Sequence, residues 1–286
     1  MSVRMNGFEQ FALAGQCVLA TLRQLGRGGL WVPWLVLGVL QGAALLMLAG
    51  FAHPSVSAAM APLVTWLAGA DALHYPNVFR VLPGLHARAA FVVDALFGVV
   101  AIGAATRLFA ARFANQPMAA VDGLRTAAGR WGTLMLAHLP LQLLVLLLSF
   151  GIPEWLQARG SSGITIRMAN LAGLGGTLLI QVVFVMIAPL VILAGLGVRD
   201  TWRELPSLVP KIGIAALAIA VVATLVTWPV QILGRFAERI VDRGAPELVI
   251  GLVAAQVAVV LVAAFVTAGS VTLVYQSLVG DTGDEW

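Results

Sequence analysis

The sequence predicts an all-α integral membrane protein with six transmembrane helices, and three observations carry that prediction. Hydrophobic residues fill 60% of the 286 positions and charged residues only 10%, far from the balance of a soluble domain. Six apolar stretches are near or above the roughly 20 residues that a helix needs to cross the hydrocarbon core. The alternating segments of about ten residues that mark a membrane barrel are absent, so the spans must satisfy their own backbone groups as helices.

In chain order the predicted spans are 30–51, 89–109, 131–150, 171–196, 212–233 and 250–278. The first run is too long for the core of a signal peptide and is expected to remain as a signal anchor. Sorting the 17 Lys and Arg by segment places Arg4, Arg23, Arg27, Arg107, Arg112, Arg125, Arg130, Arg199, Arg203 and Lys211 on the N-terminal side, ten against seven. The positive-inside rule then puts both termini in the cytoplasm. Tryptophans are expected to form belts at the two interfaces, with Trp31, Trp34, Trp131 and Trp202 on the cytoplasmic side and Trp66, Trp155 and Trp228 on the other. Arg outnumbers Lys sixteen to one, which we read as codon bias of a GC-rich bacterium, and the scarcity of cysteine suits an inner membrane facing a reducing cytoplasm. The net charge of +4 reflects arginine at the membrane surface and calls for no nucleic-acid partner. A single cysteine, Cys17, excludes an intrachain disulfide and any multi-cysteine metal site. An inert, half-buried thiol is the expectation, over S-acylation.

Between the spans lie three amphipathic stretches. Phe8, Phe11, Gly15, Val18, Leu22 and Leu25 keep a three-four rhythm before the first span, with Glu9, Gln16, Arg23 and Arg27 polar. Met118, Val121, Leu124, Ala128 and Trp131 form the stripe before the third, opposite Asp122, Arg125 and Arg130. Before the fifth, Val198, Trp202 and Leu205 oppose Arg199, Asp200, Arg203 and Glu204. Pro206 is expected to end that helix, and Pro210 to open the next span in its first turn, where a missing N–H costs little.

Aligned on an apolar-Arg pair, "LRQLGRGGLW" from Leu22, "LRTAAGRWGT" from Leu124 and "WRELPSLVPK" from Trp202 each lead into an odd-numbered span. The chain therefore reads as one membrane domain, 1–286, made of three parallel repeats of an amphipathic surface helix plus a helical hairpin. The repeat units are about 8–113, 114–197 and 198–280, followed by an acidic tail, 281–286. The repeated surface helix, with a last span ending "FVTAGSVTLVYQSLVG", resembles bacterial six-helix proteins related to the glycerophosphodiester phosphodiesterase membrane domain. The resemblance implies a non-catalytic membrane module, since the chain has no room for the hydrolase, and carries over no catalytic residue.

Polar side chains inside the predicted spans number about one per helix: Gln41, Asp94, Gln142, Gln181, Gln231 and Gln256. Asp94 shares a face with Gly98, Ala101 and Ala105 and is expected to point into the bundle. Capping, or pairing with Arg88 or with a Gln of a neighbouring helix, is the plainer reading; a proton or cation pathway is the other. The amides read as interhelical hydrogen-bond glue, or as the lining of a path for a small solute. The segment 51–90 is expected to be an outer loop carrying a short interfacial helix around Trp66, with His53, His74 and His86 on one side of the membrane. No spacing fixes two of these ligands on one helical face, so the metal signal is weak. His138 lacks the facing partner that a bis-His haem needs.

No nucleophile-base constellation and no nucleotide loop is present, so no cofactor is implied and the chain is expected to be no enzyme; lipid headgroup chemistry at the outer histidines ranks third. The leading expectation is association with membrane lipids, with a second copy of itself or with a membrane-protein partner, through a collar containing Arg23, Arg125, Trp202 and Arg203. The rival is a small-solute permease or channel using Asp94 and the intramembrane Gln residues.

Overall fold

The structure, a computed structural model, describes residues 6–50, 53–116, 118–234 and 236–280. The described residues form helices and turns, and six helical segments are long and apolar enough to cross a membrane. These are Gly28–Ala49, Asn77–Phe113, Trp131–Ala158, Gly163–Ile192, Val198–Gly234 and Leu248–Leu278. The protein is therefore a polytopic, all-α membrane protein. The tail 281–286 lies outside the described residues.

The chain divides into two compact units, and neither coincides with a repeat unit. The first comprises Met1–Pro33, Val99–Val222 and Val266–Trp286; the second comprises Trp34–Gly98 and Ala223–Phe265.

The first unit begins with α1 (Gly7–Leu22), which opens on a capping box: Asn6 accepts from the Glu9 N–H at 2.9 Å while Glu9 accepts from the Asn6 N–H at 2.7 Å. Its buried face is Gln10, Ala14, Cys17 and Thr21, not the apolar stripe that the sequence makes conspicuous. Phe8 is 81% exposed and Phe11 62%, so the stripe faces outward. The reason is the solvent: in lipid an aromatic face is at home outside, and small or hydrogen-bonding residues make the close helix contacts. After α2 (Gly28–Ala49), α3 (Pro54–Ala68), α4 (Asn77–Val93) and α5 (Val99–Phe113), α6 (Ala120–Gly129) repeats this inversion. Its buried residues are Gly123 and Ala127, and a Cβ on Gly123 would lie 2.8 Å from Leu108 of α5. Val121, Ala128 and Trp131 are exposed.

Further along come α7 (Trp131–Leu146), α8 (Ile152–Ala158), α9 (Gly163–Phe184), α10 (Ile187–Ile192) and α11 (Val198–Gly234). The fourth span breaks after Phe184 and resumes as α10, every residue of which is buried. The Arg130 guanidinium donates to the Val191 carbonyl at 3.1 Å, close to where the chain turns at Gly195 with φ 73°. A cation at this carbonyl end satisfies an acceptor the helix leaves open and opposes its dipole.

Helix α11 corrects the expectation at Pro206 and Pro210. It runs unbroken for 37 residues through both prolines, about 55 Å at 1.5 Å per residue. Surface helix and fifth span are thus one element, longer than the roughly 30 Å hydrocarbon core. Two compensations hold it together. Leu205, Leu208 and Ile212 are buried in the unit's core, so packing overrides propensity. In addition Gln10 of α1 accepts from the Ile214 N–H at 3.1 Å, four residues beyond Pro210, where a side chain inserts into the helical ladder. Here the third stripe does face inward: Thr201 and Leu205 are buried, and the Trp202 ring meets Phe184 edge-on with centroids 5.1 Å apart.

After α12 (Ala237–Asp242), α13 (Leu248–Gly280) brings "TAGSVT" against α1. Ser270 donates to the Val266 carbonyl at 2.7 Å and Thr21 to the Cys17 carbonyl at 2.8 Å, and the two hydroxyls lie 3.4 Å apart across the helix pair. The close approach needs Gly269, whose missing side chain leaves room for Thr21 and for Phe109 of α5. Gln276 donates to the Ala110 carbonyl at 3.3 Å. Burial pushes the Cys17 thiol up to about 11, so it stays protonated and unreactive at neutral pH.

In the second unit, the core joins Leu45 and Leu48 of α2, Val64 of α3, four residues of α4, Ala237 and Val241 of α12, and Val249 and Val253 of α13. This core explains why the second span starts twelve residues earlier than the sequence predicts, at Asn77 rather than 89. Val78, Phe79, Leu82 and Leu85 repeat at three-four spacing and are buried, and that burial carries the helix through Pro83 and Gly84. The connection between the first two spans is correspondingly shorter, and His86 belongs to a helix and not to the loop. Trp34 corrects the interfacial belt: it is 1% exposed, with its indole N–H unpartnered among the described residues.

Candidate functional site

Two groups of residues carry chemistry, one in each unit. In the second unit Gln41 of α2 is buried and donates from Nε2 to Oδ1 of Asp94 at 2.7 Å. The Gln41 backbone carbonyl lies 3.3 Å from Nε2 of His86, which is also buried. A carbonyl only accepts, so this contact places the His86 proton on Nε2. Gln41 thus makes two contacts, its backbone carbonyl to His86 and its amide to Asp94, inside apolar spans where each unsatisfied group costs several kcal/mol.

The backbone makes room for them. Asp94–Gly98 is a single π-helical turn between α4 and α5, and such turns often re-aim side chains at functional sites. Gly98 permits it, since a Cβ there would lie 3.3 Å from the Asp94 Cβ. Asp94 is half-buried; Gly98, Ala101 and Ala105, its predicted neighbours on the helix face, are all buried. The Gln41–Asp94 pair can hold a proton or a small cation at the carboxylate, with the amide to orient it, while His86 meets the Gln41 backbone carbonyl.

The other amides do not all turn inward. Gln181 is exposed, and Gln231 lies within 3.5 Å of Thr227 on its own helix. Gln256 is half-buried with Oε1 near Gly234, and Gln142 is half-buried. Of these amides, Gln181 makes no side-chain hydrogen bond among the described residues, and that of Gln231 stays within its own helix. His53 caps the start of α3, its Nδ1 3.4 Å from the Ser55 N–H. With His86 inside a helix, the three histidines do not share a loop, and the described residues contain no group of three or more metal-ligating side chains.

In the first unit Arg23, Arg125 and Arg203 are all exposed. Arg23 and Arg203 make no side-chain ion pair or hydrogen bond among the described residues, and Arg125 reaches Asp122 only at 3.9 Å. Trp202 is half-buried and engaged edge-on with Phe184, a contact that anchors its helix. Arg112 is exposed as well and donates to Gln24 at 3.2 Å.

Sequence reasoning missed Gln10, Thr21 and Arg130. A signal existed for the first two: Gln10, Ala14, Cys17 and Thr21 fall at spacings of four, three and four, a small and polar stripe opposite the apolar one. Arg130 had none, because its acceptor is a backbone carbonyl 61 residues away.

No family model matches the chain, and no curated protein or solved structure is significantly similar to it.

Proposed function

We propose that this polytopic protein is non-enzymatic, resides in a bacterial inner membrane with both termini in the cytoplasm, and works by association with anionic lipid headgroups. The observation that carries this reading is the orientation of α1. Its Phe8, Phe11, Leu19 and Leu22 face outward, and the helix ends at the unpaired Arg23. An apolar face beside guanidinium groups matches the boundary between acyl chains and phosphates. Arg125 and Arg203 add exposed charge in the same unit. The resemblance of its repeated surface helix to the glycerophosphodiester phosphodiesterase membrane domain supports the same reading, as a membrane module.

Replacing Arg23, Arg125 and Arg203 together by Gln tests it. Juxtamembrane basic residues contribute about 1 kcal/mol each near an anionic surface at low salt, and exposed groups are screened. The triple variant should therefore lose about tenfold of the anionic-lipid enrichment measured by lipid analysis of nanodisc-reconstituted protein. Enrichment equal to that of the parent protein would end the collar reading.

A second reading, a small-cation or proton permease, is favoured by the Gln41–Asp94 pair inside the apolar spans. On this reading Asp94→Asn, which keeps the shape and removes the charge, abolishes flux into proteoliposomes while the helical circular-dichroism signal and detergent melting temperature persist. Flux that is the same for parent and variant, or absent for both, would count against transport.

A further inference from the structure

Helix α9 carries an exposed seam that its own fold leaves open. Gly163, Arg167, Asn170, Leu174, Thr177 and Gln181 follow one another at steps of four, three, four, three and four. That spacing is the heptad seam of a left-handed helix pair. Five of the six are exposed, and Thr177 is half-buried. The side chains of Asn170, Thr177 and Gln181 make no hydrogen bond among the described residues. The seam is not the face that meets the third span, because Gly173 and Gly176 pack there against Leu148.

An amide and a hydroxyl left bare in the apolar part of a span are costly unless another helix pairs with them. We propose that this seam is a homodimer interface, with α9 of one copy packed parallel on α9 of a second. The chemistry selects a second copy. Carboxamides and hydroxyls each donate and accept, so the seam complements itself. Copies inserted in the same orientation are related by a two-fold axis along the membrane normal, which sets position 170 against 170 and 181 against 181. A single Asn in such a seam fixes register and helix number. Arg167 sits one turn from the helix start, where its long side chain reaches the headgroup layer and escapes its twin. The proposal stands independently of the collar, whose three arginines lie on other helices.

Disulfide mapping of the full-length chain in membrane vesicles tests it. In a Cys17→Ala background, single cysteines replace Asn170, Leu174, Thr177 or Gln181 on the seam, and Leu171, Ala172 or Leu179 off it. Under mild oxidation the seam positions should cross-link to a species of twice the chain mass, at least tenfold more than the off-seam positions. Equal yields at all seven positions, no cross-link in a protein that still elutes as a single folded species, or a product of another mass would each overturn the homodimer. Combining Asn170→Leu with Gln181→Leu in the otherwise native chain should at least halve the dimer fraction counted by single-molecule photobleaching in dilute bilayers. An unchanged fraction would show that the polar seam does not hold the copies together.

Discussion

Gly269→Val should produce the largest loss of stability of any single substitution in the final span. A Cβ at this position would overlap the Thr21 methyl and lie 2.9 Å from the Phe109 ring. Neither neighbour has room to retreat. Thr21 and Phe109 are both 0% exposed, and the Thr21 hydroxyl is tied to the Cys17 carbonyl. Overpacking a tight core costs about 1–3 kcal/mol, and more where nothing can move; a branched side chain at a triple helix contact belongs at the top of that range. The variant should melt at least several degrees lower in mild detergent and yield less folded protein. Two comparisons isolate the cause. Gly251→Val, on the same helix but with open space around the position, should change stability by less than about 0.5 kcal/mol. Thr21→Ala should partly rescue Gly269→Ala, giving a coupling energy of about 1 kcal/mol between the two sites. A Gly269→Val protein as stable as its parent would show that α1 does not pack against α13 at this point.

Gln41→Leu should be the second most damaging change, and its severity depends on what remains behind. The substitution keeps the volume and removes the amide that donates to Asp94 at 2.7 Å. Interhelical hydrogen bonds in membranes average only about 0.6 kcal/mol, whereas stranding the half-buried Asp94 carboxyl group in an apolar span costs about 2 kcal/mol. The second effect decides, because the donor is lost and the carboxyl group stays. Gln41→Leu alone is therefore expected to cost about 2 kcal/mol, measured by reversible unfolding in mixed micelles. Adding Asp94→Leu should return most of that loss, since two matched apolar residues replace a matched polar pair. A double variant as unstable as Gln41→Leu would mean that the pair contributes nothing through its hydrogen bond.

The two variants probe contacts that differ in how far they could be read from residue order. Asp94 and Gln41 stand out in the sequence because polar residues in apolar runs are conspicuous, and pairing with a Gln of a neighbouring helix is one of the readings they invite. Which Gln does so depends on the face that α2 presents to α4, and a three-dimensional packing decides that. Gly269 lies in a run of small residues that signals close approach without naming the neighbour. The approach itself involves Thr21, 248 positions earlier in the chain.

Residue order alone accounts for the six spans, the helical class, the single unreactive thiol and the polar residues worth attention. All of these follow from local quantities: the length of apolar runs, their period and the cost of bare backbone in lipid. Tertiary packing was needed for four other features: the outward turn of the α1 and α6 stripes, the passage of α11 through Pro206 and Pro210, the early start of the second span and the burial of Trp34. In lipid an apolar side chain is nearly as comfortable outside as inside, so hydrophobic pattern identifies a span without orienting it. Orientation is then set by where small residues let backbones meet and where a distant group such as Gln10 or Arg130 can satisfy an open donor or acceptor, and those contacts join residues far apart along the chain.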